Sequence, residues 1–128
     1  MASTKQELEA RFRPILKRLN GFSNDIEASA IMTRDGLSIA SVMNANVNPD
    51  RLGAMCASLL SLGDKTASEL ERGALKQVLI ECDGGCVLIV NIGKRAVLAI
   101  VSRATSKIGM VFIEAKKAAT EIAATNLI

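Results

Sequence analysis

Histidine, tryptophan and tyrosine are absent from this 128-residue chain, and phenylalanine occurs three times. Without histidine there is no imidazole base, no Ser-His or Cys-His nucleophile pair, and no member of the ligand class that catalytic zinc sites mostly use. The shortage of aromatic rings removes platforms for stacking bases. No block of Lys or Arg is present to follow a phosphate backbone, and 16 basic against 13 acidic residues leave a net charge of only +3. Nucleic acid is therefore not an expected partner. Cysteine occurs three times, an odd number that builds no disulfide framework and fits a reducing compartment. The opening "MASTKQELEARFR" is charged and lacks an apolar signal core. The most apolar stretch, 87–101, is interrupted by "NIGKR" and is too short to span a bilayer. The expected location is cytoplasmic, without membrane insertion.

Nucleotide chemistry is missing as well. The pair Gly93-Lys94 suggests a phosphate-binding loop, but Arg95 stands where Ser or Thr would bind Mg²⁺, and Leu88 stands where the first glycine belongs. No carboxylate pair points to acid–base catalysis; Glu69 and Glu71 do not share a helical face. The expectation is a protein that is not an enzyme and that holds no cofactor and no metal.

What the chain does have is apolar patterning, with 49% hydrophobic residues and few Gly or Pro to interrupt them. Leu8, Phe12, Ile15, Leu16 and Leu19 recur at helical spacing and predict an N-terminal helix, which Pro14 kinks or restarts and Asn20-Gly21 stops. Two alternating runs, 26–33 and 37–43, flank "RDG", a strong hairpin signal. Asn48 is placed to cap the next helix, with Pro49 in its first turn and Gly73 ending it. Runs 75–82, 86–92 and 96–102 read as three strands joined by "DGG" and "GKR", with Asp35, Asp83 and Gly84 serving as turn residues. A last helix covers about 106–125, with Ile108, Val111, Phe112, Ala115, Ala119 and Ile122 as its stripe. The order is α-β-β-α-β-β-β-α in a single domain, 1–128. The fourth and fifth strands are apolar on both faces, so helices should cover both sides of the sheet, giving an α/β (α+β) sandwich of three layers. The third strand, with Lys76, Gln77 and Glu81, reads as an edge.

The middle helix carries more apolar surface than one sheet contact needs. One stripe, Leu52, Met55, Leu59, Leu62, Thr66 and Leu70, is sufficient to pack on the sheet. A second holds Gly53, Cys56, Leu60, Gly63 and Ala67, with Ala57 nearby. An interior glycine costs a helix about 1 kcal/mol relative to alanine, so a stripe of small residues calls for a compensating close contact. A second copy of the same helix across a two-fold axis supplies one, and the third strand can pair with its own twin there, hiding its edge. The expected interface is Gly53, Cys56, Ala57, Leu60, Gly63, Ala67, Val78 and Ile80. The plainer alternative is that the glycines are tolerated defects near a loop.

Cys82 and Cys86 flank a tight turn and are expected to lie opposite each other. They read either as a redox switch or half of an intersubunit metal site, or as two small buried hydrophobes, the reading favoured because two ligands do not make a zinc site. Cys56, on the small-residue stripe, is open to an intersubunit disulfide or to simple packing.

Two segments carry a family resemblance. "MTRDGLSIAS" resembles the first hairpin of roadblock-type domains, the dynein light chain family with bacterial and archaeal members, and "SKIGMVFIEAKKAATEI" resembles the start of that family's last helix. The element order agrees from Leu8 to about Ile122. The resemblance implies a profilin-like α/β/α fold with a five-stranded, antiparallel-type sheet in the order 2-1-5-4-3, and homo- or heterodimers joined through the second helix and third strand. It also implies action on small Ras-like GTPases, as in the family's prokaryotic branch, without an inserted catalytic arginine; Arg34, Arg72, Arg95 and Arg103 are read as solvated charges. The functional expectation is a homodimeric platform that favours one switch conformation of a GTPase. Its rival is a structural adaptor that heterodimerises with other roadblock-type subunits and leaves GTP hydrolysis unchanged.

Overall fold

Thr4 opens the first helix by accepting a hydrogen bond from the Glu7 amide at 3.1 Å. The computed structural model describes residues 4–44, 46–103 and 107–128. Helix α1 (Lys5–Phe22) runs unbroken through Pro14. Pro14 and Ala10 both lie on the exposed side, so the Ala10 carbonyl that loses its helical donor is hydrated, and the helix need not restart. It also passes the expected stop at Asn20, because Asn20 is buried and held from outside the helix. Its amide donates to the Val42 carbonyl at 3.0 Å, and its oxygen accepts from the Ser29 hydroxyl at 2.6 Å.

Strands β1 (Ile26–Thr33) and β2 (Ser38–Met43) form the first hairpin. Asn48 then caps α2 (Pro49–Glu69), accepting from the amides of Asp50 and Arg51 at 2.9 and 3.2 Å. The helix ends before Gly73: the Arg72 amide reaches back to the Ala67 carbonyl and Glu71 adopts a positive φ of 54°. Strands β3 (Gln77–Cys82), β4 (Gly85–Ile92) and β5 (Ala96–Arg103) follow, and α3 (Ile108–Ala124) closes the chain. Ser106, the expected start of that helix, lies outside the described residues.

The sheet order is β2-β1-β5-β4-β3 with every neighbouring pair antiparallel, as the resemblance implies. Alternation sends Ile31, Leu88, Val90, Leu98 and Ile100 to one face, where α1 and α3 cover them with Phe12, Leu16, Val111, Ala115 and Ile122. It sends Ala30, Met32, Ile89, Val97 and Ala99 to the other, where α2 covers them with Leu52, Cys56 and Leu60. Each large side chain so enclosed contributes about 2 kcal/mol by leaving water. One helix therefore covers a face that two helices share on the other side, and β3, at the sheet margin, is left with only half-buried and exposed positions.

The exposed face of α2 and the edge of β3

The small-residue stripe of α2 faces inward, not outward. Gly53, Cys56 and Leu60 are buried against the sheet of their own chain, and three residues of the other stripe stand in solvent: Met55 is 51% exposed, Leu62 65% and Leu70 61%. The sequence reading had the two stripes reversed. The physical cause is the tip of the first hairpin. Gly36, at φ 94°, lays its backbone on the backbone of Gly53, and a Cβ added at Gly53 would sit 2.1 Å from the Gly36 carbonyl oxygen. Only a helix surface without side chains admits that approach, so this side of α2 is turned inward. Gly63 answers to a neighbour too: a Cβ there would meet Leu75 Cδ2 at 2.8 Å. These glycines serve contacts inside the protomer, so neither the helix–helix groove nor the tolerated defect describes them.

Of the eight expected interface residues, Gly53, Cys56 and Leu60 are thus core, and Ala57 sits beside the hairpin tip. Gly63, Ala67 and Val78 do come together. With Leu59, Leu62 and Leu70 they line an open, almost wholly apolar groove of about 380 Å³ between the second half of α2 and β3. Ile80 lies further along β3, opposite Val87 of β4. The exposed residues Met55, Leu62 and Leu70 were visible as a stripe but assigned to the sheet. The overlooked signal was the Asp-Gly hairpin turn, which needs a flat place to land.

Arg34 is not a solvated charge. Its guanidinium makes a two-pronged bond to Asp64 of α2 at 2.8 and 2.9 Å and donates to Asn91 of β4 at 2.8 Å. Asn91 in turn donates to the Leu75 carbonyl at 2.8 Å. One side chain thereby ties the first hairpin, α2, β4 and the approach to β3, which together frame the apolar groove. Arg103 is paired with Glu27 at 3.3 Å.

The cysteines do not converge. Register sets Cys86 across from Glu81 and Cys82 across from Gly85, because the turn holds only Asp83 and Gly84. Alternation puts the two sulfurs on opposite faces: Cys86 is buried with Sγ 3.0 Å from the Ser102 hydroxyl, and Cys82 is exposed. Burial pushes the Cys56 thiol up to about 11, so it stays protonated and unreactive at neutral pH, and its place under α2 keeps it from a twin. Among the described residues no three His, Cys, Asp or Glu side chains are placed to hold a metal ion, and no helix is long and apolar enough to cross a membrane.

The sequence matches the Roadblock/LC7 domain over residues 16–102. The chain belongs to the Roadblock/LC7 family. Two proteins of the archaeon Methanocaldococcus jannaschii are each 33% identical to this Roadblock/LC7 chain over 110 residues, 86% of its length and 95% of theirs. In three dimensions it is similar to MglB of Myxococcus xanthus, with a TM-score of 0.82 at 18% identity over 90% of this chain and 94% of that one. It is similar also to profilin IA of Acanthamoeba castellanii, with a TM-score of 0.61 at 16% identity over 90% and 98%. The fold is profilin-like, and the archaeal relatives set the chain in the prokaryotic branch.

Proposed function

We propose that the protein, one domain spanning 1–128, acts in the cytoplasm as a non-enzymatic homodimer. In this reading it binds a small Ras-like GTPase and favours one of that protein's switch conformations. The observation that carries the reading is the apolar strip of Met55, Leu62 and Leu70 on α2, continuous with a groove that ends at an unpaired sheet edge. A face of this kind is costly in water and suits a self-complementary contact across a two-fold axis, which needs on the order of 1,600 Å² in total for a stable dimer. A relative of similar fold, MglB, has been solved in a tetrameric arrangement. The GTPase belongs to the proposal through the family. Regulation requires unequal affinity for the two nucleotide states, and each tenfold difference shifts their balance by about 1.4 kcal/mol.

The test has two stages. Sedimentation velocity should show a dimer that Leu62→Glu converts to monomer; a wild-type monomer at every concentration overturns the proposal. Small Ras-like GTPases loaded with GTP or GDP are then passed over the immobilised dimer and their hydrolysis is followed. Retention that depends on the nucleotide supports the regulator. Equal retention with an unchanged hydrolysis rate, or binding only to other roadblock-type subunits, replaces it with the adaptor.

A further inference from the structure

We propose that β3 pairs antiparallel with β3 of a second copy, in a register centred on Leu79. This rests on the homodimer reading above and specifies how the edge is used.

The argument is one of parity. If two identical edge strands extend one sheet antiparallel, with both α2 helices on the same side, the two-fold axis stands perpendicular to the sheet. Residues directly opposite one another share a face, and faces alternate along each strand. Position i must therefore meet a position of the same parity on the twin, so the axis always passes through a residue that faces itself. For a six-residue strand, Gln77–Cys82, the centres that leave a useful overlap are Val78, Leu79 and Ile80.

The side chains choose among them. Leu79 lies opposite Leu88, on the face covered by α1 and α3. Leu88 is 1% exposed, but those helices stop short of Leu79, which is 45% exposed. Centring on Leu79 sets it against the partner's Leu79 and covers both. On the other face, Val78 meets the partner's Ile80; both are half-buried beside the α2 groove, where apolar contact is already established. Gln77 meets the partner's Glu81, an amide against a carboxylate, and no like charges oppose each other. Centring on Val78 instead sets Leu79 against the partner's Gln77 and Ile80 against the partner's Lys76. Centring on Ile80 sets Leu79 against the partner's Glu81. Each wastes apolar surface on a polar neighbour, so Leu79 determines the register.

Cysteine cross-linking in a Cys82→Ser background tests this, with Cys56 and Cys86 left in the core. After mild oxidation, Leu79→Cys should give a disulfide-linked dimer severalfold more abundant than Val78→Cys or Ile80→Cys alone. Differently tagged Val78→Cys and Ile80→Cys chains, mixed, should link to each other. Self-linking of Val78→Cys or Ile80→Cys above Leu79→Cys overturns the register while the dimer stands. A dimer by sedimentation with no cross-link at any of the three positions removes β3 from the axis and overturns the inference. A parent protein that is monomeric fails the homodimer reading itself. Charge exchange gives an independent measure: Leu79→Glu and Leu79→Lys should each weaken the dimer alone and restore it as a mixture, and no restoration counts against the self-facing position.

Discussion

Gly53 and Gly63 lie in one helix and meet different neighbours. At Gly53 an added methyl collides with backbone that cannot withdraw, whereas at Gly63 it meets the end of a flexible leucine side chain. Gly53→Ala should therefore lower the denaturation midpoint by the equivalent of about 3 kcal/mol, the upper range for overpacking. Gly63→Ala should be near neutral, because about 1 kcal/mol of helix propensity offsets the shift asked of Leu75. Urea titrations of the two variants decide it. Asn20 presents a second contrast with its surface neighbours. Asn20→Ala leaves the fully buried Ser29 hydroxyl without its acceptor, which should cost about 1–3 kcal/mol in the same assay. The thiols separate by burial: in the native protein a disulfide reagent should modify Cys82 alone, and all three cysteines in denaturant. The Cys56 thiol titrates near 9.0 in the unfolded chain and about 11 in the folded one. Its contribution to stability is therefore complete below pH 9 and is lost as the pH rises from 9 to 11. Replacing Cys56 with Ala should flatten the stability profile in that window relative to wild type.

Among the elements, α2 is the one the others orient. Arg34 reaches it from the hairpin with a two-pronged bond that is partly shielded from water. A double-mutant cycle of Arg34→Ala with Asp64→Ala should give a coupling of about 1 kcal/mol, the upper range for pairs of this exposure. A value near zero would show that α2 is held by the apolar contact alone. The order of elements and the sheet could be read from the sequence because each depends on local signals: alternation in the strands, Asp-Gly and Asn-Pro at the joints, and helical spacing around Phe12 and Val111. The facing of α2 could not, because both its stripes satisfy the same helical period. The choice between them is made by Gly36, a residue of another element, and the same distance in sequence hides the Arg34–Asp64 pair. Cys82 and Cys86 were misplaced for a smaller reason: shortening the turn to Asp83-Gly84 shifts the pairing by one residue and sends one thiol to the opposite face.

For the molecule as a whole, the two faces of the sheet are unequally dressed. Two helices enclose one side. On the other, a single helix encloses the centre and offers its own apolar back to solvent. A dimer formed there links folding to association, so the thermal midpoint should rise with protein concentration. Scanning calorimetry over a hundredfold concentration range measures this. Leu62→Glu should unfold at a temperature independent of concentration, because its folded monomer keeps every buried contact described above. A wild-type midpoint that does not move would place the apolar strip outside any self-association.

The meeting of Gly36 with Gly53 also bears on how this protein is to be probed. Alanine scanning ordinarily subtracts atoms and reads what they did. At this junction the functional feature is a gap in the side-chain layer, and alanine inserts matter into it. A scan that scores each position by loss would report Gly53 as the owner of a strong interaction, when what it owns is the clearance that lets a turn and a helix touch.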